Sequence, residues 1–357
     1  MADMMSIGPV SDEIDLSHPA VGHLVQAAGL PAVEQWTPVL GGANNRVYYG
    51  TTDQGRILLK LYFNGAGDER DRLRGEYCFY HLAEKAEPGS VPKVWGWDMK
   101  NRLGLFGFVE GRKLEAAEVG ARHVRAAGQL VASVNNALTN MPLAEDFPNA
   151  SEACFSFAEH FGLVQARVER LHSLSTRDGL DEEAQAWIRD ELTPTWHQIR
   201  AEATLHVGEK GFDVTAVLPL DQLWISPSDF GFHNALLNNK GAVKFFDFEY
   251  AGWDDPAKLL ADFFCQPSVA VPLAMWDEFI GALSAWRRWQ PEIGRRAELL
   301  LPVYRIKWCC ILMNEFLPSG AQRRCFSKIN TKARRAQQLR KARAMLEDAL
   351  FAVNSAK

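Results

Sequence analysis

The sequence predicts an α+β fold of two unequal lobes, a small one built on an antiparallel sheet and a large helical one. Three observations predict it. β-favouring runs broken by short turns crowd into the first third of the chain. Their order is three strands, a helix and two strands, and beyond Gly111 the apolar residues recur at helical spacing. The length of 357 residues agrees, since domains usually run to about 100–200 residues.

Residues 1–30 read as a leader with one short helix, and residues 31–109 as the small lobe. Residues 36–40 form a strand, and Gly41, Gly42, Ala43, Asn44 and Asn45 a tight loop. Residues 46–50, with Val47, Tyr48 and Tyr49, form a second strand, 52–55 a turn, and 56–63 a third strand. Leu73, Tyr77, Tyr80 and His81 sit at helical spacing within 68–87, which predicts a helix there. Residues 94–97 and 102–109 are two further strands around a turn at 98–101. The large lobe, 110–357, has helices over 115–138 and 155–174. A β-rich island then interrupts it, with 223–225 as one strand and 235–237 meeting 243–246 across Asn238, Asn239, Lys240 and Gly241. After Pro256 the chain reads as helical to its end.

Composition narrows the function classes. Hydrophobic residues make up 47% and charged residues 23%, which suits a soluble enzyme with a sizeable core. A net charge of -5 disfavours nucleic acid as the main partner, because phosphate backbones attract basic surfaces. The basic run of Lys332, Arg334, Arg335, Arg340, Lys341 and Arg343 reads as the solvated face of a C-terminal helix. The six cysteines include no CxxC pair, so reduced buried thiols are expected in place of a zinc site or a disulfide framework. The first residues are acidic and lack the apolar core of a signal peptide, and no apolar run is long enough to span a bilayer. The cytoplasm, with no membrane partner, is the expected location. GxxxxGK[ST], GxSxG and HExxH are all absent, which disfavours a P-loop, a hydrolase elbow and a zinc protease.

The chemistry concentrates in Ser226-Pro227-Ser228-Asp229-Phe230-Gly231-Phe232-His233-Asn234 and in Phe245-Phe246-Asp247-Phe248-Glu249. Asp229 and Asn234 share a loop, and the following hairpin returns Asp247 to its start. An aspartate and an amide oxygen are hard ligands suited to Mg²⁺, and a second aspartate can accept a hydroxyl proton. Phosphoryl transfer needs these parts, since positioning and charge neutralisation do most of its work. Singly, each residue has an ordinary reading: Asp229 and Asn234 as Asx turns, Lys60 on an edge strand, Glu76 paired with Arg72 on its own helix. Their order along the chain argues for the joint reading.

These residues resemble the aminoglycoside phosphotransferase and choline kinase-like family, which shares the protein-kinase fold. Asp229 and Asn234 keep the spacing of the family's HGDxxxxN loop, and residues 247–257, from Asp247 through Trp253, Asp254 and Asp255, resemble its second motif. The resemblance covers about 36–264. It implies a two-lobed protein-kinase-like fold and a small-molecule kinase that moves the γ-phosphate of ATP or GTP to a hydroxyl group. It implies Asp229 as the base, with Asn234 and Asp247 as Mg²⁺ ligands. Gly41, Gly42 and Asn44 would lie over the phosphates, Lys60 would hold them with Glu76 as its ion-pair partner, and Phe108, Val109 and Glu110 would form the adenine-binding hinge. Trp253, Asp254, Trp308 and Glu315 come from regions that face the substrate in relatives. The expected acceptor is a sugar, an amino sugar or an amino alcohol. An aminoglycoside-type antibiotic ranks lower because Asp254, Asp255 and Glu315 are a modest acidic supply. A catalytically silent nucleotide-binding scaffold is the reading from another class, and Pro227, in place of the family's loop histidine, is the feature that favours it. Asp255 beside Pro256 reads as a helix cap. His233 is open to two readings, a substitute orienting group or a polar loop residue.

Overall fold

The structure, a computed structural model, describes residues 16–39, 45–62, 71–138, 147–174, 176–317 and 331–355. Contacts divide it into a smaller unit, 1–69 with 92–108, and a larger one, 70–91 with 109–357.

The smaller unit begins with helix α1 (Pro19–Ala27), whose first turn is capped by the His18 ring, which accepts from the Ala20 N–H. Five antiparallel strands follow in the order β1-β2-β3-β5-β4: β1 (Trp36–Pro38), β2 (Arg46–Thr52), β3 (Gly55–Leu61), β4 (Val94–Asp98) and β5 (Leu103–Gly107). The strands fall where the residue pattern places them, with shorter ends at 38, 61 and 107. Ile57, Leu59, Leu61, Leu103 and Leu105 alternate onto one face and bury against Ala20, Val21, Leu24 and Val25 of α1. The short N-terminal helix therefore covers the sheet, rather than belonging to a separate leader.

The larger unit opens with α2 (Arg72–Ala86). The sequence reading groups this helix with the sheet, but its contacts group it with the larger unit. The physical reason is a close approach: a Cβ on Gly75 would stand 2.9 Å from the Ala251 carbonyl oxygen. Arg72 also forms a buried ion pair with Glu249 at 2.6 Å. Helices α3 (Ala121–Ala137), α4 (Phe157–Leu171), α5 (Gly179–Trp187) and α6 (Thr193–Glu209) follow. The expected helix over 115–138 is broken, with a 3-10 turn at Ala116–Glu118 before α3 begins. The β-rich island comprises β6 (Trp224–Ser226), β7 (Ala235–Leu237), β8 (Val243–Phe245) and an unexpected β9 (Gly252–Asp254), which pairs with β6. Then come α7 (Pro256–Cys265), α8 (Trp276–Leu283), α9 (Pro291–Leu312) and α10 (Thr331–Ser355). Asp255 accepts from the Ala257 N–H at 2.8 Å, so it caps α7 as expected.

Helix α9 is the core element, burying Ala297, Leu300, Val303, Tyr304, Ile306, Cys309 and Cys310. In the basic run on α10, Lys332, Arg334, Arg340 and Lys341 are exposed as expected, and one residue departs. Arg335 is buried and holds Asp178 and Asp181 beside α5, Arg343 pairs with Glu183, and Arg334 pairs with Glu315. Cys78, Cys154, Cys265, Cys309 and Cys310 are buried free thiols. Among the described residues no helix is long and apolar enough to cross a membrane.

Candidate active site

The loop after β6 is shaped by alternation. Phe230 and Phe232 both point into the core, against Phe245 at 4.9 and 6.0 Å and Phe263 at 5.8 and 5.7 Å between ring centroids. The residues that flank them, Asp229 and His233, remain part-exposed. Ser228 adopts a left-handed φ of 65°, its N–H donates to the Ser226 hydroxyl at 3.0 Å, and the Phe230 N–H donates back to the Ser228 carbonyl at 2.7 Å. Strained backbone of this kind persists only where its surroundings enforce it. Here it turns Asp229 outward.

A 3-10 turn at Phe232–Asn234 leads into the β7–β8 hairpin. The hairpin ladder continues past its strands, because the Phe246 N–H donates to the Asn234 carbonyl at 3.0 Å. Asp247 therefore follows directly from the residue paired with Asn234, and it too has a left-handed φ of 68°. The structure thus brings Asp229, Asn234 and Asp247 to one end of one hairpin. The Asn234 amide donates to the Asp229 carbonyl at 3.1 Å. A carbonyl can only accept, so the amide nitrogen faces it and the amide oxygen turns away. That oxygen and the Asp247 carboxylate are the hard oxygen groups at this end of the hairpin. Among the described residues no cluster of three His, Cys, Asp or Glu makes a metal centre on its own. Two protein oxygens nevertheless fit Mg²⁺, which keeps water and phosphate oxygens in its shell and seldom takes an all-protein cage.

Asp229 Oδ1 lies 3.1 Å from His233 Nε2. Burial alone would raise the Asp229 pKa, but the His233 hydrogen bond and charge, the Lys307 ammonium and Asn234 outweigh it and hold the carboxyl below its ordinary value. His233 thus meets the Asp229 carboxylate from within the same loop.

Behind Asp247 the chain is held against α2. The Phe248 N–H donates to Glu76 Oε1 at 3.2 Å, and the Phe248 ring packs on Phe79 at 4.2 Å and Tyr80 at 5.1 Å. The Asp247 backbone hydrogen-bonds to the buried Tyr80 hydroxyl, whose pKa is raised by burial and by the charges of Glu76 and Asp247. Arg72 adds its ion pair to Glu249 and a 2.8 Å hydrogen bond to the Tyr250 hydroxyl.

The remaining expected residues divide. Lys60 is buried on β3 of the smaller unit, its Nζ 5.0 Å from the Tyr62 ring centroid, while Glu76 is buried on α2 of the larger unit. Phe108 donates its N–H to the Arg56 carbonyl at 3.2 Å and lies under the Arg56 guanidinium; Val109 and Glu110 continue without regular structure. Gly41, Gly42 and Asn44 lie outside the described residues. Trp253 is part-exposed on β9. Asp254, expected at the substrate, is instead fully buried and neutralised by Lys258 at 2.6 Å, with the Cys154 and Asp255 N–H groups donating to it. Its role is to hold the loop around residue 154. Trp308 donates to Asp262 Oδ1 at 2.9 Å, beside a Lys307–Asp262 ion pair of 2.8 Å, and Glu315 pairs with Arg334.

Sequence reasoning missed Lys113. Its Nζ donates to the His233 carbonyl at 2.5 Å, although nothing in the local pattern beyond the basic Arg112-Lys113 pair marks it.

Residues 35–292 match the phosphotransferase enzyme family. The chain belongs to that family. As a phosphotransferase acting on hydroxyl groups, it has the protein-kinase-like α+β fold that the residues predict. Among solved structures, the spectinomycin phosphotransferase in complex with ADP and spectinomycin superposes with a TM-score of 0.62 at 12% identity, covering 94% of this chain and 97% of that one. A choline kinase from Cryptosporidium parvum gives 0.54 at 13%, covering 94% and 99%. A choline/ethanolamine kinase family protein from Mesorhizobium loti gives 0.54 at 16%, covering 94% and 98%. At such identities the likeness is one of fold. No curated protein sequence matches the phosphotransferase.

Proposed function

We propose that this phosphotransferase moves the γ-phosphate of ATP or GTP to a hydroxyl of a small metabolite such as a sugar, an amino sugar or an amino alcohol. The observation that carries the reading is the convergence of Asp229, Asn234 and Asp247 at one hairpin end. Asp229 accepts the proton of the acceptor hydroxyl as its oxygen bonds to the γ-phosphorus, the bond to the bridging oxygen breaks, and the nucleoside diphosphate leaves. The lowered Asp229 pKa keeps the base ionised at neutral pH. Asn234 Oδ1 and the Asp247 carboxylate hold Mg²⁺, which when bound neutralises phosphate charge. The nucleotide roles of Gly41, Gly42, Asn44, Lys60, Glu76, Phe108, Val109 and Glu110 rest on the family resemblance. On the acceptor side Trp253, Trp308 and Glu315 remain in the proposal, and Asp254 does not.

The spectinomycin phosphotransferase and a macrolide 2'-phosphotransferase from Brachybacterium faecium, at a TM-score of 0.51, keep an antibiotic acceptor as the second reading. The silent-scaffold reading loses ground, because His233 meets Asp229 where Pro227 leaves no side chain to orient the loop. A nucleotide-consumption assay with Mg²⁺ across a panel of sugars, amino sugars, amino alcohols and aminoglycosides tests all three. Tight nucleotide binding without transfer to any hydroxyl would overturn the kinase reading in favour of the scaffold.

A further inference from the structure

Lys113 is placed by backbone contacts, then by its side chain. Arg112 and Leu237 exchange both backbone hydrogen bonds, at 3.0 and 2.8 Å, forming an antiparallel bridge to the hairpin that leads to Asn234 and Asp247. Gly111 permits this approach, since a Cβ there would stand 2.7 Å from the Leu237 carbonyl oxygen. The side chain then runs across the Phe246 ring, its Nζ 4.9 Å from the centroid, and donates to the His233 carbonyl at 2.5 Å. His233 precedes Asn234 and Phe246 precedes Asp247, so the ammonium contacts the residue before each proposed metal ligand. The Asp247 carboxylate acts on it electrostatically, offsetting in part the lowering of its pKa by burial.

The neighbouring Arg112 is occupied by Glu118 at 2.6 Å. Lys113 has no carboxylate at ion-pair distance among the described residues, and only one of the three donors of an ammonium is used by the His233 carbonyl. A compact, exposed cation held against the residues that precede Asn234 and Asp247 suits a group whose charge is spread over several oxygens, which is the state of a phosphoryl group in transfer.

We infer that Lys113 contacts the γ-phosphoryl group of the bound nucleotide and is a further catalytic residue of the larger unit. The inference rests on the proposed nucleotide-dependent reaction. A staple between Lys113 and the His233 carbonyl alone would serve the hairpin equally with any nucleotide. A γ-phosphate contact would be felt only by a triphosphate.

The test is calorimetric titration, with Mg²⁺, of a nucleoside diphosphate and of a triphosphate analogue with a non-hydrolysable β–γ bridge. K113A should weaken triphosphate binding on the order of tenfold and diphosphate binding by less than about twofold, as expected for one charge-assisted bond to a phosphate oxygen. K113R should restore most of the loss. K113Q keeps a donor for the His233 carbonyl without the charge, so it should behave as K113A and takes its place if K113A does not fold. Equal weakening of both nucleotides, or an unchanged ratio, would overturn the inference. Failure of the wild type to bind either nucleotide would instead overturn the nucleotide reading itself, and the two failures are thereby separated.

Discussion

His233→Ala removes the imidazole that hydrogen-bonds the Asp229 carboxylate while leaving the His233 backbone carbonyl that Lys113 uses. The Nε2–Oδ1 distance is 3.1 Å, and the side chains are 19% exposed for His233 and 40% for Asp229. A hydrogen bond to a charged group contributes about 1.5–3 kcal/mol, and competing water at a part-exposed carboxylate takes the value to the lower end, about 1–1.5 kcal/mol. At about 1.4 kcal/mol per decade, kcat should fall roughly 5- to 12-fold, with nucleotide affinity little changed. His233→Gln keeps a donor and should recover part of the loss. The pH profile separates ionisation from positioning. The bond with His233 helps hold the Asp229 pKa below the ordinary 3.8, so its removal moves the acid limb of kcat/KM to higher pH. At pH 7 the carboxylate stays ionised in both forms, and the loss there reports positioning alone. Steady-state kinetics with the acceptor found in the panel, from pH 3 to 8, measures both. A His233→Ala enzyme with unchanged kcat and an unmoved acid limb would refute the reasoning.

Asp229→Asn keeps size but cannot accept the proton as a carboxylate does, so turnover should fall about 10²- to 10⁴-fold with nucleotide affinity unchanged by calorimetry; full activity would remove the base from the mechanism. Asp247→Ala should abolish turnover without altering the circular dichroism spectrum, and near-normal activity would refute its role as a metal ligand. Asp255→Asn concerns stability. Burial raises the Asp255 pKa, but the His160 hydrogen bond and the Arg296 charge more than offset this, so its folded pKa lies below the ordinary 3.8. A depressed pKa contributes stability that is fully present above the unfolded value and lost as pH falls through the folded one, so the wild-type advantage should be about 3–5 kcal/mol near pH 7 and shrink below about pH 4 in urea melts.

The fold was legible where side-chain pattern and backbone geometry coincide. Strands β3 and β5 alternate apolar residues toward α1, and the residue pattern reveals them. Strand β9 was not legible, because it is three residues long and its partner β6 lies 26 residues earlier; a pairing so distant leaves no local period. The placement of α2 was misread for a related reason. Its spacing shows a helix, but what groups it with the larger unit is a glycine facing the Ala251 carbonyl and an arginine meeting a glutamate 177 residues away. The basic run on α10 is solvated at Lys332, Arg334, Arg340 and Lys341, as charge runs usually are; only Arg335 of the run is buried, where Asp178 and Asp181 receive it.

The same contrast explains the site. The approach of Asn234 to the Asp247 segment was legible because a hairpin is a local device: the two residues are joined by the turn between them, and the Phe246 N–H closes the ladder on Asn234. The orientation of Asp229 was ambiguous because the family's histidine position holds Pro227, which has neither an imidazole nor a backbone donor. The loop meets that loss with two other features. Ser228 takes the left-handed conformation that turns the backbone outward, and the alternation of Phe230 and Phe232 into the core leaves His233 on the same side as Asp229, four residues on. A spacing of four in an irregular loop carries no fixed geometry, unlike the same spacing in a helix. The two buried phenylalanines help give it one, so substitution of Phe232 by a small residue should disturb Asp229 through His233, without contact between the altered side chain and the reacting atoms.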